Sequence, residues 1–238
     1  MKPEDFKKKI EAFEVDLEDS LGGALPGDDF DWYSFVRKFK FSLNKKILRP
    51  EAKEWLSDSD NEHDVVIAKQ YPQELAMYLK WVFDNILDIR SYFELGVERG
   101  GTYIAVSTLL KIAHGEDNIR CASLDIHPTE FVTKYADLKS FSTQYTADSA
   151  KWDFPEKESW DLIFLDGMHT YDYVKNDYDK AKHKCRYLGF HDINLQGYAG
   201  GVPKLWNEVK GEHKVIAEFH NSDPIFSNYT VGAGILEI

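Results

Sequence analysis

Short apolar runs alternate with longer amphipathic segments from Ser91 to the end of the chain. The apolar runs predict strands at 91–95, 120–125, 142–146, 160–165, 187–191, 214–219 and 229–237. Helical spacing predicts helices at 101–113, 129–138, 170–185 and 202–210, after a first one that begins near Pro72. The third crossover, residues 149–157, lacks a helical pattern. Strands that alternate with helices are typical of an α/β fold with a mostly parallel sheet.

The first part of the chain has a different character. It is dense in charge, and its apolar residues Phe6, Ile10 and Phe13 recur at helix-like intervals. We therefore expect a mainly helical N-terminal extension over residues 1–67, serving as a substrate lid or as a contact in a homo-oligomer. The main domain is expected over residues 68–238.

Composition narrows the classes of function. The formal net charge of −12 argues against a duplex nucleic-acid partner, because such binding depends on neutralising phosphates. We expect no membrane association, since no apolar run could cross a bilayer and the start lacks a signal-peptide core, and the default location is cytoplasmic. Cys121 and Cys185 lack metal-site spacing, so they are expected to be free thiols.

A glycine-rich turn follows the first predicted strand. Glu94 ends the apolar run, and the turn carries Gly96, Gly100 and Gly101 before the next helix begins. Glycines let backbone amides approach a ligand closely, and the start of a helix offers unpaired N–H groups to it. This spacing predicts a small-molecule site, and it differs from the G-x-G-x-x-G pattern of dinucleotide sites.

Polar residues also follow the next four predicted strands. They are Asp125, then Asp148 with Ser149, then Asp166 with His169, and finally His191 with Asp192. Any one of them is explained equally well as a helix cap or a loop residue. Ligands of open α/β sheets bind outside the carboxyl ends of the strands, so five such strand ends in succession indicate one ligand-binding crevice.

These motifs resemble the class I S-adenosylmethionine-dependent methyltransferases, and within them the sugar- and macrolide-type small-molecule O-methyltransferases that carry D-G-x-H after the fourth strand. The resemblance covers about residues 71–238 and is carried by Phe93 to Thr102, Leu124 to Ile126, Asp148 to Ala150, Phe164 to Tyr171 and Gly189 to Ile193. It implies a Rossmann-like three-layer αβα sandwich. Its seven-stranded sheet would be mostly parallel, with an antiparallel last strand.

The resemblance also implies a role for each motif. The predicted cofactor is S-adenosylmethionine, and the residues implied to bind it are Glu94, Gly96, Gly100, Thr102, Asp125, Ile126, Asp148, Ser149 and Asp166. Asp125 would hold the ribose hydroxyls, and Ile126 would pack against adenine. Asp148 and Ser149 would meet the adenine edge. Asp166 would lie below the sulfonium, where cofactor and acceptor meet.

Catalysis and metal binding are expected at the last strand ends. Methyl transfer requires a deprotonated acceptor atom aligned with the methyl group, and His169 is the candidate general base, with Asp166 beside it. Similar methyltransferases hold a divalent cation, Mg²⁺ or another, at positions matching Asp166, His191 and Asp192. His191 stands where an acid is common, so two interpretations of it remain open, a nitrogen ligand and a hydrogen-bonded strand-end residue.

Two alternatives come from other classes of function. An NAD(P)-dependent oxidoreductase of Rossmann type would share the first two strand-end features, although the glycine spacing argues against it. A binding protein that keeps the methyltransferase fold without catalysis is the second. For the leading hypothesis, the acceptor is a hydroxyl on a small molecule such as a sugar or a glycosylated metabolite.

Overall fold

The computed structural model of the protein describes residues 30–36, 70, 72–98, 100–127, 140–194, 200–220 and 231–238. The strands are β1 (Ser91–Leu95), β2 (Arg120–Asp125), β3 (Ser142–Thr146), β4 (Trp160–Leu165), β5 (Cys185–Phe190), β6 (Lys214–His220) and β7 (Gly232–Glu237). The longer helices are α1 (Pro72–Asp84), α2 (Gly101–His114), α3 (Tyr171–Ala181) and α4 (Gly201–Val209). Short 3-10 helices lie at Ile86–Asp88 and Glu116–Asn118.

The strands form one seven-stranded sheet in the order β3-β2-β1-β4-β5-β7-β6. Strands β1 to β5 pair in parallel, and β7 runs antiparallel to both β5 and β6. This confirms the predicted mostly parallel sheet with an antiparallel last strand. From β1 the chain continues to β2 and β3 on one side of the sheet, and it then returns to β4 and β5 on the other side. At such a reversal of strand order, a crevice is expected at the carboxyl ends of the two central strands, here β1 and β4.

Hydrophobic side chains cover both faces of the sheet. Successive strand residues point to opposite faces, so Tyr92 packs in the layer of α1 and α2, whereas Phe93 packs on the other side. There Tyr178 of α3 and Trp206 of α4 are fully buried. The two cores make a three-layer αβα sandwich and hold the strand ends that form the site.

The predicted element bounds agree closely with the structure. The third crossover, residues 147–159, contains no helix. Two predicted bounds differ from the structure by more than one residue: α3 ends at Ala181 and not at 185, and β5 begins at Cys185 and not at 187, because Cys185 already pairs with Trp160 of β4. The predicted helix at 129–138 lies outside the described residues, and so do residues 229 and 230 of the last predicted strand.

Residues 30–36 are the part of the predicted N-terminal extension that the structure describes. They include a helical turn at 32–36 that packs against α1. The ring centroids of Trp32 and Phe83 lie 5.5 Å apart, and Trp32, Phe35 and Val36 are buried. Most of residues 1–67, and with them the proposed lid or oligomer contact, lie outside the described residues.

Two expectations from composition concern the described residues. Cys121 and Cys185 are free thiols, and burial raises the pKa of each to about 12, which makes both poor nucleophiles. None of the helices in the described ranges combines the length and apolar character needed to cross a membrane.

Gly96 is a position where the fold has no room for a side chain. Its φ is +86°, and a Cβ atom there would lie 2.2 Å from the carbonyl oxygen of Asp166 and 2.5 Å from Cα of Gly167. We expect Gly96→Ala to lower the free energy of unfolding in chemical denaturation by about 2–4 kcal/mol.

Gly115→Ala is the matched control for Gly96→Ala. Gly115 also has a positive φ, +75°, but its nearest neighbour would lie 3.9 Å from an added Cβ. The loss at Gly96 should therefore exceed the loss at Gly115 by roughly 1–3 kcal/mol, the usual cost of overpacking. Equal losses would mean that backbone strain alone explains Gly96.

Candidate cofactor site and active site

One cavity opens at the carboxyl ends of β1 to β5. Its volume is about 620 Å³, within the range of small-molecule sites. The sequence-predicted residues that line it are Gly96, Thr102, Asp125, Ile126, Asp148, Ser149, Asp166, His169, His191 and Asp192. The structure thus brings together residues that are far apart in the chain.

Asp125 is held rigidly at the end of β2. Its Oδ2 accepts a hydrogen bond from the backbone N–H of Glu98 at 2.7 Å, and its Oδ1 accepts one from the N–H of His127 at 2.8 Å. Asp125 is 8% exposed and lines the cavity. These two bonds orient the carboxylate, so its remaining lone pairs are available to the hydroxyls of a ligand.

The next side of the cavity combines an apolar side chain with a tight turn. Ile126 lines this side of the cavity and is 63% exposed to solvent. It therefore offers an accessible apolar surface on which a flat apolar ring can pack. Asp148 Oδ1 accepts a hydrogen bond from the N–H of Ala150 at 3.0 Å. Asp148 and Ser149 both line the cavity, and the Asp148 side chain at the same time shapes its own turn.

A side-chain relay fixes Asp166 at the centre of the cavity. Thr102 Oγ1 donates to Gln70 Oε1 at 2.5 Å, and Gln70 Nε2 donates to Asp166 Oδ2 at 2.6 Å. Gln70 is buried and lines the cavity. Sequence reasoning missed it, because a glutamine just before a helix carries no pattern that indicates a ligand site.

Glu94 and Gly100 occupy a different place from the other predicted cofactor residues. Neither lines the cavity. Glu94 lies on the same sheet face as Tyr92, whose hydroxyl donates to Glu94 Oε2, and it is 1% exposed. Burial raises the pKa of Glu94 well above its usual value. Gly100 has a φ of +76° and forms the turn before α2.

His169 lies between two carboxylates. Its Nδ1 is 3.2 Å from Asp192 Oδ2, and its Nε2 is 3.6 Å from Asp166 Oδ1. Burial lowers the pKa of His169, but the two carboxylates outweigh burial and raise it above 6.5. Asp192 has a φ of +60°, uncommon outside glycine, which turns its carboxylate back toward the cavity.

His191 follows β5 directly and connects the cavity to α1. Its Nδ1 lies 2.9 Å from Asp166 Oδ1, and its Nε2 lies 2.8 Å from Oε1 of Glu74, a residue that is 1% exposed. Burial lowers the pKa of His191, but Asp166 and Glu74 together raise it well above its usual value. Against the opposing effect of burial, His191 and His169 lower the pKa of Asp166 to about 2.

Four of these side chains form a compact cluster of possible metal ligands. Asp166, His169, His191 and Asp192 can each offer one ligand atom, and these atoms lie within 4.8 Å of one another. Three of the four were predicted as metal ligands from the sequence, and His169 was predicted only as a base. Glu74 was not predicted, since it comes from a helix that precedes the sheet.

Known proteins share this architecture. Residues 93–193 match the family model described as a methyltransferase domain. Among solved structures, the chain is similar to the O-methyltransferase TomG from Streptomyces achromogenes, which is involved in tomaymycin synthesis and was solved in complex with S-adenosylmethionine. The identity is 13% and the TM-score 0.55, over 96% of this chain and 97% of TomG.

Two further solved structures have comparable scores. A putative O-methyltransferase from Klebsiella pneumoniae is 14% identical, with a TM-score of 0.54 over 98% of this chain and 99% of that chain. The N-methyltransferase NodS from Bradyrhizobium japonicum WM9, in complex with S-adenosyl-L-homocysteine, is 12% identical, with a TM-score of 0.50 over 83% and 97%. No match was found among curated proteins. Residues 93–193 therefore match a methyltransferase domain, and the chain has the fold of solved methyltransferases.

Proposed function

We propose that this protein is an S-adenosylmethionine-dependent methyltransferase that transfers the methyl group to a hydroxyl of a small molecule, such as a sugar or a glycosylated metabolite, with His169 as the general base. The observation that carries the proposal is the pairing of His169 with Asp192 inside the cavity, at 3.2 Å between Nδ1 and Oδ2. TomG, a structural neighbour, is an O-methyltransferase, which supports a hydroxyl acceptor. NodS, an N-methyltransferase, has a similar fold, so the fold alone does not choose the acceptor atom.

The geometry of His169 suits proton transfer. A carboxylate beside Nδ1 favours the tautomer that carries its proton on Nδ1, which leaves the lone pair of Nε2 as the base. Among the described residues, Nε2 has no hydrogen-bond partner. A hydroxyl that enters the cavity would donate to Nε2, and the carboxylates of Asp192 and Asp166 would stabilise the resulting imidazolium.

The cavity fits the adenosine part of S-adenosylmethionine. Asp125 presents an oriented carboxylate for the ribose, and Ile126 presents an apolar surface for adenine. When bound, S-adenosylmethionine supplies an electrophilic methyl group on a positive sulfonium. The carboxylate of Asp166, whose pKa the two histidines lower to about 2, offers the matching negative charge. Glu94, which is 1% exposed and does not line the cavity, would act through packing.

A divalent cation also fits the cluster. Oε1 of Glu74 next to Nε2 of His191 resembles the carboxylate that orients many ligating histidines, and it directs Nδ1 toward Asp166 and Asp192. We propose that Asp166, His191 and Asp192 hold the ion, which would orient the acceptor and lower its pKa. A nitrogen ligand among carboxylates favours Mn²⁺ or Zn²⁺ over Mg²⁺.

Calorimetric titration of the metal-free protein tests this ion site. We expect Mn²⁺ to bind at least about tenfold more tightly than Mg²⁺, and His191→Gln to remove the preference. The control is His213→Gln, since the ring of His213 contacts the hydroxyl of Tyr178 and lies outside the cavity. This variant should keep the preference for Mn²⁺. Failure of both ions to bind would contradict the ion site and leave His191 as a strand-end residue paired with Glu74 and Asp166.

The acceptor class is tested by screening hydroxylated and aminated small molecules for methyl incorporation from labelled S-adenosylmethionine. We expect products methylated on oxygen, identified by mass spectrometry and NMR. Products methylated only on nitrogen would contradict the proposal. Binding of S-adenosylmethionine without turnover of any acceptor would favour the alternative of a binding protein that keeps the fold.

A further inference from the structure

We propose that Lys180 of α3 is a positioning residue for the adenine end of the cofactor. It binds the turn that lines this end of the cavity, on the side of the turn that faces away from the cavity. The inference rests on the proposed binding of S-adenosylmethionine. The turn comprises residues 147–152 and is called the adenine-side turn below. Its residues Ala147, Asp148 and Ser149 face the cavity, and Lys180 does not line it.

Lys180 contacts three parts of the adenine-side turn through one ammonium group. Its Nζ donates to the carbonyl oxygens of Ser149 at 2.9 Å, Ala150 at 3.3 Å and Trp152 at 2.7 Å. An ion pair with Asp153 at 3.4 Å completes the set. An ammonium has three donor hydrogens, so these carbonyl groups take up its full donor capacity. The side chain is only 21% exposed, which limits competition from water.

Two neighbours on the same face of α3 reinforce this contact. Asn176 and Asp177 lie four and three positions before Lys180, so each is a neighbour of Lys180 on the surface of α3. Asn176 Nδ2 donates to the Ser149 carbonyl at 3.4 Å. Asp177 is 2% exposed, and its Oδ2 would lie 3.6 Å from a Cβ atom on Gly167. The face therefore contacts the turn after β3 and the loop after β4 together.

The adenine-side turn needs this external support because its own structure is limited. The crossover that contains it has no helix, and its internal hydrogen bonds run mainly to Asp148, whose carbonyl accepts from the N–H groups of Lys151 and Trp152. A cavity side built from a loop binds well only when the loop is ordered before the ligand arrives. Lys180 supplies that order without touching the ligand.

Binding measurements on Lys180→Met test the inference. We expect the Kd for S-adenosyl-L-homocysteine in calorimetry to rise about tenfold, and the Kd for adenosine to rise by a similar factor, since the defect lies at the adenine end. With an acceptor in hand, KM for S-adenosylmethionine should rise while kcat changes less than about twofold. Lys180→Arg keeps a donor cation and should restore most of the affinity.

Lys184→Met is the matched control. Lys184 donates to the carbonyl oxygens of Pro155 at 3.2 Å and Glu156 at 2.7 Å, in the same crossover but away from the cavity. It should cost comparable thermal stability and leave both Kd values unchanged. Equal ligand affinities for the two methionine variants would overturn the inference. If Lys180→Met does not fold, Asn176→Ala serves with a smaller expected rise of about threefold. A wild-type protein that binds neither ligand would instead overturn the proposed function.

Discussion

Replacing His169 by alanine is expected to lower kcat/KM for an identified hydroxyl acceptor by about 10²- to 10⁴-fold, the usual contribution of a general base. The side chain is 29% exposed at the cavity, and its Nε2 makes no hydrogen bond within the described residues. Removing the ring leaves the acceptor proton without a base. The proposed cofactor contacts at Asp125 and Ile126 do not involve His169, so the Kd for S-adenosylmethionine should change less than about threefold.

His183→Ala is the control for this loss. His183 is exposed in the turn after α3, outside the cavity, so its removal should change neither kcat/KM nor cofactor affinity. His169→Gln keeps a hydrogen-bonding side chain but no base in the useful pKa range, and it should fail like alanine. Undiminished turnover by both His169 variants would rule out the role as base and leave Asp166 as the remaining candidate.

The second large effect is expected at Asp125. Asp125→Asn should raise the Kd for S-adenosylmethionine on the order of 100-fold, as measured by calorimetry. An amide has one acceptor oxygen in place of two, and its NH₂ group would face one of the N–H groups of Glu98 and His127. The ribose would lose its acceptor and the backbone around it would lose order.

Asp161→Asn separates ligand binding from stability. Asp161 Oδ2 accepts hydrogen bonds from the N–H groups of Arg90 and Ser91, both at 2.8 Å. It is therefore a strand carboxylate that binds two backbone N–H groups, as Asp125 does, but it lies at the amino ends of the strands. Its replacement should lower the melting temperature without changing cofactor affinity. A comparable loss of affinity in both variants would show that Asp125 acts only through the fold.

The sequence predicts the sheet well because apolar runs and turn residues are local signals. Asp125 is the last residue of a predicted strand, His169 lies in the loop after another, and the carboxyl ends of parallel strands meet at one edge. Their convergence thus follows from the topology. The end of α3 was misjudged because pairing of Cys185 with Trp160, a contact between distant residues, ends the helical stretch earlier than its polarity suggests.

Other parts of the site depend on packing that no local pattern reveals. Gln70 and Glu74 reach the site because the start of α1 docks beside Asp166 and His191, which lie far along the chain after β4 and β5. For Glu94, by contrast, the local pattern already indicates where the side chain lies. Side chains alternate along a strand, so Glu94 shares a sheet face with Tyr92. Its carboxyl group therefore points into the helix layer and does not line the cavity.

Calorimetric titration of the purified protein with S-adenosylmethionine, and separately with NAD⁺, tests the central claim most directly. We predict one S-adenosylmethionine bound per chain, competition by S-adenosyl-L-homocysteine, loss of most of the affinity in Asp125→Asn, and no heat from NAD⁺. Binding of NAD⁺ in place of S-adenosylmethionine, or S-adenosylmethionine binding that Asp125→Asn leaves unchanged, would contradict it.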